Sequence, residues 1–128
     1  MDSQSWTKTV TQNRKKCEKI LATSKDIRYA GAFNEYGRTI SGKIRLGIKP
    51  IFSSDAVRHE FFAIASMMRL REKTSKKLGD VEFISITHKK INILLFYKNG
   101  ITHYITINKK TKLNTILVNK IKNIITRV

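Results

Sequence analysis

The stretch from Ser54 to Leu78 constrains the fold most, because it is the longest uninterrupted helical pattern in the chain. Its apolar residues recur at helical spacing and form two stripes rather than one. The first stripe contains Val57, Phe61, Ile64, Ala65 and Met68, and the second contains Phe62, Ala63, Met67 and Leu70. A helix that is apolar on several sides needs more than one surface to cover it. We therefore expect the second stripe to contact a partner.

The residues at both ends of this stretch favour a helix with defined limits. Ser53, Ser54 and Asp55 offer an N-cap and a first-turn acid for the free amides of a helix start. Gly79 follows the last apolar residue and can take the left-handed conformation that ends many helices. The sequence predicts one continuous helix between them.

Strand patterns lie on both sides of the predicted long helix. Before it, Ile27 to Phe33 and Arg38 to Ile44 predict a hairpin, since Asn34-Glu35-Tyr36-Gly37 between them has turn chemistry. We expect one face of the first strand to carry Ile27, Tyr29, Gly31 and Phe33. Glycines within strands often mark a bulge or a close approach by another element, which we expect at Gly31 and Gly42.

Three further strands are predicted after the long helix, over Val81 to His88, Ile91 to Tyr97 and Ile101 to Ile107. Lys98-Asn99-Gly100 contains the strongest short hairpin signal in the chain. The nearly continuous apolar run of the second of these strands is typical of the interior of a sheet. In the third, Ile101, His103, Ile105 and Ile107 alternate with polar or aromatic residues and should share one face.

Amphipathic helices are predicted at the two ends of the chain, from about Thr7 to Ala22 and from Leu113 to Arg127. In the second we expect Leu113, Ile116, Leu117, Ile121 and Ile124 to face inward. The predicted order is helix, two strands, helix, three strands, helix. This order favours an α+β fold with one five-stranded antiparallel sheet and helices packed on its faces. We interpret residues 1–128 as one domain, with an N-terminal helix over 1–23 and a body over 27–128.

Length and composition favour a globular protein of the cytoplasm. A chain of 128 residues with 41% hydrophobic residues is long enough for one core without disulfides or metals. Cys17 is the only cysteine, which excludes an internal disulfide. No run approaches the roughly 18 to 20 apolar residues of a membrane span, and the N-terminus lacks a secretory pattern. We expect a cytoplasmic location.

The formal net charge of +17 is the largest deviation in composition. It predicts attraction to nucleic acid, anionic lipid or an acidic protein surface, unless it reflects only a coding bias towards lysine. Arg69, Lys73, Lys76 and Lys77 would share one side of a continuous helix, and Lys109, Lys110 and Lys112 form a second cluster. These seven residues are our candidate patch for an anionic partner or for nucleic acid.

A catalytic or metal site is not indicated by the sequence. His59, His88 and His103 lie in different predicted elements, without an acid at the spacing of metal ligands. The nine acidic residues show no pairing suited to acid and base catalysis, and no serine or cysteine has a recognisable nucleophile context. We expect no enzymatic activity, no cofactor and no metal.

Parts of the chain resemble the roadblock family, a group of dynein-light-chain-like domains related in shape to profilin and longin domains. The segment Ile27 to Gly42 resembles the family's opening hairpin, and Leu78-Gly79 resembles the end of its central helix before the third strand. Leu113 to Val128 resembles its terminal helix. The chain departs from the family in its extra positive charge and in a long connection that carries Lys49-Pro50. The opening hairpin is also similar to a group of small uncharacterised archaeal proteins.

The roadblock resemblance implies a symmetric homodimer in which the central helix and the third strand meet their copies. On this interpretation Phe62, Ala63, Met67 and Leu70 form the dimer interface, whereas in a monomer the first helix would cover them. The resemblance also implies a non-enzymatic interaction or regulatory module that binds another protein, such as a small GTPase, through a sheet or helix surface. The alternative is a basic protein that binds the phosphate backbone of nucleic acid non-specifically.

Overall fold

The fold is a five-stranded antiparallel sheet with helices on both faces, which confirms the predicted α+β class. The structure, a computed structural model, describes residues 3–109 and 113–127. Its elements are α1 (Ser3–Thr23), β1 (Ile27–Phe33), β2 (Thr39–Ile44), α2 (Ser54–Glu72), α3 (Ser75–Leu78), β3 (Ile84–Thr87), β4 (Ile91–Lys98), β5 (Ile101–Asn108) and α4 (Thr115–Thr126).

The strand order in the sheet is β2-β1-β5-β4-β3, so β1 pairs with the last strand of the chain. Both predicted hairpin turns are present. Asn99 and Gly100 adopt positive φ angles of 52° and 80°, as a two-residue turn between twisted strands requires. In the first hairpin the Asn34 Oδ1 atom accepts hydrogen bonds from the backbone amides of Tyr36 and Arg38, each at 2.9 Å.

The sheet separates two hydrophobic cores. On one face α1 and α4 contribute Cys17, Ile20 and Ile121, which pack with Leu94 and Ile105 of the inner strands. On the opposite face α2 packs against alternate residues of the strands, namely Phe33, Ile91, Ile93, Leu95 and Tyr104. Strand β4 therefore supplies apolar residues to both cores, which explains its nearly continuous apolar run.

Arg45 connects the end of α1 to the start of β1. Its guanidinium group donates hydrogen bonds to the carbonyl oxygens of Leu21, Ser24 and Ile27, the last two at 2.8 and 2.7 Å. The last carbonyl groups of a helix have no partner within the helix. Arg45 satisfies one of them, the carbonyl oxygen of Leu21.

The predicted continuous helix from Ser54 to Leu78 is wrong in its last part, because α2 ends at Glu72 and a separate four-residue helix follows. The hydroxyl groups of Thr74 and Ser75 donate to the carbonyl oxygens of Arg71 and Glu72, at 2.9 and 2.8 Å. Serine and threonine compete in this way with helical hydrogen bonding. The predicted end at Gly79 is confirmed, with a φ angle of 81°.

Two predictions about which residues face the core also need correction. A register shift between Ile27 and Tyr29 places Ile27 in the α1 and α4 core, while Tyr29 and Phe33 lie on the α2 side. In α4, Ile116 is 69% exposed and Ile125 is buried instead.

The close approach predicted at Gly31 and Gly42 comes from Tyr29. A Cβ atom at either glycine would lie 2.2 or 2.3 Å from the Tyr29 hydroxyl oxygen. The two glycines pair across β1 and β2, so together they leave the space that the tyrosine ring occupies.

Candidate interaction surface

The orientation of α2 is set by its cap and by aromatic packing beneath it. The Ser53 Oγ atom accepts a hydrogen bond from the Ala56 amide at 3.2 Å, which satisfies one of the free amides at the helix start. Phe61 stacks on Phe33 with ring centroids 4.4 Å apart, and lies 5.1 Å from the ring of Tyr104. These contacts bury the first apolar stripe and turn the second away from the sheet.

Most of the second stripe faces outward. Phe62 and Leu70 are 57% and 62% exposed, and Ala63 is also exposed. Met67 is half-buried and packs at the margin of the core beneath α2. Helix α1 packs on the opposite face of the sheet, so the alternative in which the first helix covers this stripe is wrong.

The turn between β1 and β2 extends this exposed surface. Arg69 donates hydrogen bonds to the Glu35 carbonyl oxygen and, at 3.1 Å, to the Ser66 hydroxyl. Its guanidinium carbon lies 5.6 Å from the centre of the Tyr36 ring, and Tyr36 is 66% exposed. Arg69 thereby holds an exposed aromatic residue beside α2.

The turn also approaches the helix backbone closely. A Cβ atom at Gly37 would lie 2.7 Å from the Cα atom of Phe62, so only a glycine fits between the turn and α2. The place of Tyr36 on this surface could not be predicted from the sequence. Its position in a turn next to a helix-contacting glycine depends on tertiary packing, and the only local signal was the turn itself.

Strand β3 forms one edge of the sheet. Within the described residues it pairs with β4 alone, and its other edge has no neighbouring strand. Ile84 and Ile86 are half-buried and, like Met67, pack against the margin of the core beneath α2. An unpaired strand edge can add a strand from another chain. The exposed stripe of α2 and the edge of β3 therefore form one candidate interface.

The residues of the predicted basic patch lie at separate places. Arg69 is committed to the turn between β1 and β2, whereas Lys73, Lys76 and Lys77 are exposed at the end of α2 and in α3. Because the helix is interrupted after Glu72, the last two lysines do not continue the row that begins at Arg69.

Lys109 lies far from these lysines. The Tyr97 hydroxyl donates to the Glu72 carboxylate, which places the end of α2 near the turn between β4 and β5. Lys109 follows the opposite end of β5, and an eight-residue strand is roughly 23 Å long at 3.3 Å per step. Lys110 and Lys112 lie outside the described residues.

The histidines do not form a metal site. No group of three potential His, Cys, Asp or Glu ligands is close enough to hold a metal among residues 3–109 and 113–127. His59 and His88 are exposed, whereas His103 is buried between the sheet and α1. In the same part of the chain no helix combines the length and apolar character needed to cross a membrane.

Comparison with known proteins gives matches at the level of structure. No family model and no curated protein matches the sequence. A Roadblock/LC7 domain from Streptomyces avermitilis superimposes with a TM-score of 0.66 at 9% identity, covering 88% of this chain and 90% of that one. The gliding protein MglB from Thermus thermophilus gives a TM-score of 0.66 at 12% identity, covering 91% and 90%.

A further solved structure, described as MglB with tetrameric arrangement, gives a TM-score of 0.65 at 14% identity and covers 97% of this chain and 84% of that one. These likenesses extend over 88% to 97% of this chain. The chain is therefore a roadblock-like domain in its fold.

Proposed function

We propose that the protein is a non-enzymatic homodimeric interaction module, with the exposed stripe of α2 and the edge of β3 as the contact between its two copies. The observation that carries this proposal is the pair Phe62 and Leu70, two large apolar residues that are 57% and 62% exposed on one helix face. Apolar residues clustered in this way are typical of a protein interface.

We infer that the partner at this surface is a second copy of the chain. A two-fold axis beside α2 would bring each exposed stripe onto its copy, as an isologous interface requires. The same axis would pair the free edges of the two β3 strands. A relative in fold, MglB, has been solved in a tetrameric arrangement, which supports self-association as a property of this fold.

The test is the solution mass measured by light scattering at tens of micromolar protein. We expect twice the chain mass of 14.8 kDa for the natural sequence. Phe62→Glu and Leu70→Glu should each produce the monomer, because a charge buried without a partner in an interface is strongly unfavourable. Met67→Lys, at the half-buried margin, should weaken the dimer and also reduce the stability of the fold.

Ile116→Glu provides the matched control. Ile116 is 69% exposed, like the two test residues, but it lies in α4 on the opposite face of the sheet. The control should keep the mass of the natural protein. A natural protein that is monomeric at these concentrations would overturn the proposal, as would dissociation by the Ile116 variant alone.

The dimer would present its remaining sheet and helix surfaces to another protein. The roadblock resemblance suggests a small GTPase as the first class of partner to test. Binding measured by calorimetry with a GTPase from the same organism, in its GDP and GTP forms, addresses this part of the proposal. If the dimer does not bind the GTPase, the GTPase is excluded as a partner, but the proposal of a homodimer still stands.

Exposed lysines give a specific reason to test nucleic acid as a second candidate. Lys73, Lys76 and Lys77 have no ion-pair partner in the described part of the chain, and the net charge is +17. Reversal of these three charges should weaken binding to duplex DNA at about 150 mM salt if phosphate contacts are the function. If binding disappears at this salt, the positive charge is a general property of the surface and does not form a nucleic-acid site.

A further inference from the structure

Strand β2 is the second edge of the sheet, at the opposite end from β3. Within the described residues it pairs with β1 alone. The Arg45 amide donates to the Arg28 carbonyl oxygen at 2.8 Å, and every second residue of an antiparallel strand bonds to the same neighbour. The register therefore directs the backbone N–H and C=O groups of Lys43 towards β1, and those of Gly42 and Ile44 towards the open edge.

A cavity of about 510 Å³ lies beside this edge, on the α2 face of the sheet. Gly42 and Ile44 belong to its lining, together with the first turns of α2 and the connection from β2 to α2. Gly42 is exposed and has no side chain. Neighbours on paired strands direct their side chains to the same face. A strand added at this edge would therefore place the side chain opposite Gly42 at the cavity.

The lining of the cavity is mostly apolar. Ile51 and Phe52, in the connection from β2 to α2, are 56% and 38% exposed, so apolar surface stays uncovered beside the cavity. Further apolar side chains of the lining come from β2, the same connection and α2, namely Ile44, Ile48 and Val57. The volume lies in the range of small-molecule sites, so it is large enough for one aromatic or large aliphatic side chain.

The charge at the β2 edge favours an acidic segment. Lys43 is exposed and has no ion-pair partner in the described part of the chain. Side chains alternate along a strand, so Lys43 lies on the face opposite the cavity. Acidic residues on both sides of an inserted apolar residue would lie on that same face. Opposite charges on neighbouring strands stabilise the pairing.

The two edges of the sheet therefore suit different partners. A lysine on an edge strand disfavours pairing with an identical copy, because it brings like charges together. The β3 strand, Ile84–Thr87, carries no charged residue. The charge of Lys43 thus favours an acidic partner over a second copy of the chain at β2.

We propose that the β2 edge binds an extended acidic segment of a partner protein, which adds a strand beside Gly42 and Ile44 and inserts one large apolar side chain into the cavity. The added strand supplies main-chain hydrogen bonds, and the cavity selects the side chain. This site lies at the opposite end of the sheet from β3, so it does not depend on the proposed dimer.

The experiment titrates the natural full-length chain with the acetylated and amidated peptide Ser-Val-Glu-Phe-Glu-Val-Ser. Calorimetry is carried out at about 150 mM salt, where attraction between distant charges is largely screened. We expect saturable binding. Alanine in place of the phenylalanine should weaken binding at least about tenfold, because the burial of the aromatic ring is lost. A peptide of the same composition without the alternation should also bind at least about tenfold more weakly, since its apolar and acidic residues no longer lie on opposite faces.

Hydrogen exchange of single amides, measured by NMR, locates the peptide on the natural chain. The Gly42 amide should exchange at least about tenfold more slowly at saturation, because the added strand accepts its hydrogen bond. Ser85 is the matched control. By the same alternation its amide faces the open edge of β3, so the peptide should leave its exchange unchanged.

A charge-matched pair of variants tests the role of Lys43. Lys43→Glu should weaken binding of the acidic peptide at least about threefold, since it places like charges on neighbouring strands. Lys77→Glu, on an exposed lysine of α3, changes the net charge equally and should change binding less than about 1.5-fold.

Four results would contradict this assignment. They are the absence of saturable binding below about 1 mM peptide, equal binding of the rearranged peptide, slower exchange at Ser85 instead of Gly42, and equal effects of the two lysine variants. The peptide comparison and the exchange measurement use the natural chain, so a folding defect in a variant would not leave the question open.

Discussion

Acid should destabilise this protein through one buried side chain, His103. Its ring is 2% exposed, and neither ring nitrogen has a hydrogen-bond partner in the described protein. Burial, and then the positive charge of Lys16, lowers the pKa of His103 to about 3. In the unfolded chain the pKa of histidine is about 6.5. Between these values the unfolded state binds a proton that the folded state does not, so the free energy of unfolding falls as the pH falls.

The size of the effect follows from the two pKa values. The contribution of the neutral His103 ring to the free energy of unfolding is fully present above about pH 6.5. Below that pH it decreases by about 1.4 kcal/mol per pH unit, until His103 in the folded protein also becomes protonated near pH 3. Between about pH 7 and pH 4.5 the loss is about 2.5 kcal/mol. With a urea slope of about 1.5 kcal/mol per molar, this moves the unfolding midpoint by roughly 1.7 M.

The assay is urea unfolding followed by circular dichroism at several pH values, for the natural chain and for His103→Gln. Carboxylates also titrate in this range, but they are common to both proteins and cancel in the difference. We expect the variant to be less stable at neutral pH and to gain about 2.5 kcal/mol relative to the natural chain by about pH 4.5. His88→Gln, which removes an exposed imidazole, is the matched control. Parallel pH curves for the natural chain and His103→Gln would refute the argument.

Three further predictions concern single contacts in the fold. Gly42→Ala should lower the free energy of unfolding in urea by about 1 to 3 kcal/mol, since its Cβ atom would lie 2.3 Å from the Tyr29 hydroxyl oxygen. In a Tyr29→Leu background this loss of stability should be smaller. Arg45→Met removes three hydrogen bonds to backbone carbonyl groups and should lower the free energy of unfolding in urea by about 2 to 4 kcal/mol. An unchanged free energy of unfolding would contradict the role assigned to Arg45. Cys17 is fully buried, and burial, with Glu18, raises the pKa of its thiol to about 12; native protein should leave a thiol reagent unreacted at about pH 8, whereas urea-unfolded protein should react at once.

Features set by local sequence could be predicted well. The turn at Asn99-Gly100 and the Asn34 turn have conformations that few other residues adopt, and the start of α2 has a capping residue at the expected place. The apolar run of β4 predicted an inner strand because it leaves no face for solvent. Each of these signals lies within a few neighbouring residues.

Features set by contacts between distant elements were missed. The interruption after Glu72 depends on Thr74 and Ser75 hydroxyl groups and on the anchoring of Glu72 to Tyr97, whereas helical spacing alone favoured continuity. Asn13 stands among polar residues in the sequence of α1, yet it is buried in the structure. The candidate dimer stripe was predictable because an excess of apolar residues is visible in one helix. The place of Tyr36 beside this stripe was not predictable, because the turn that carries Tyr36 meets α2 through Gly37 and Arg69.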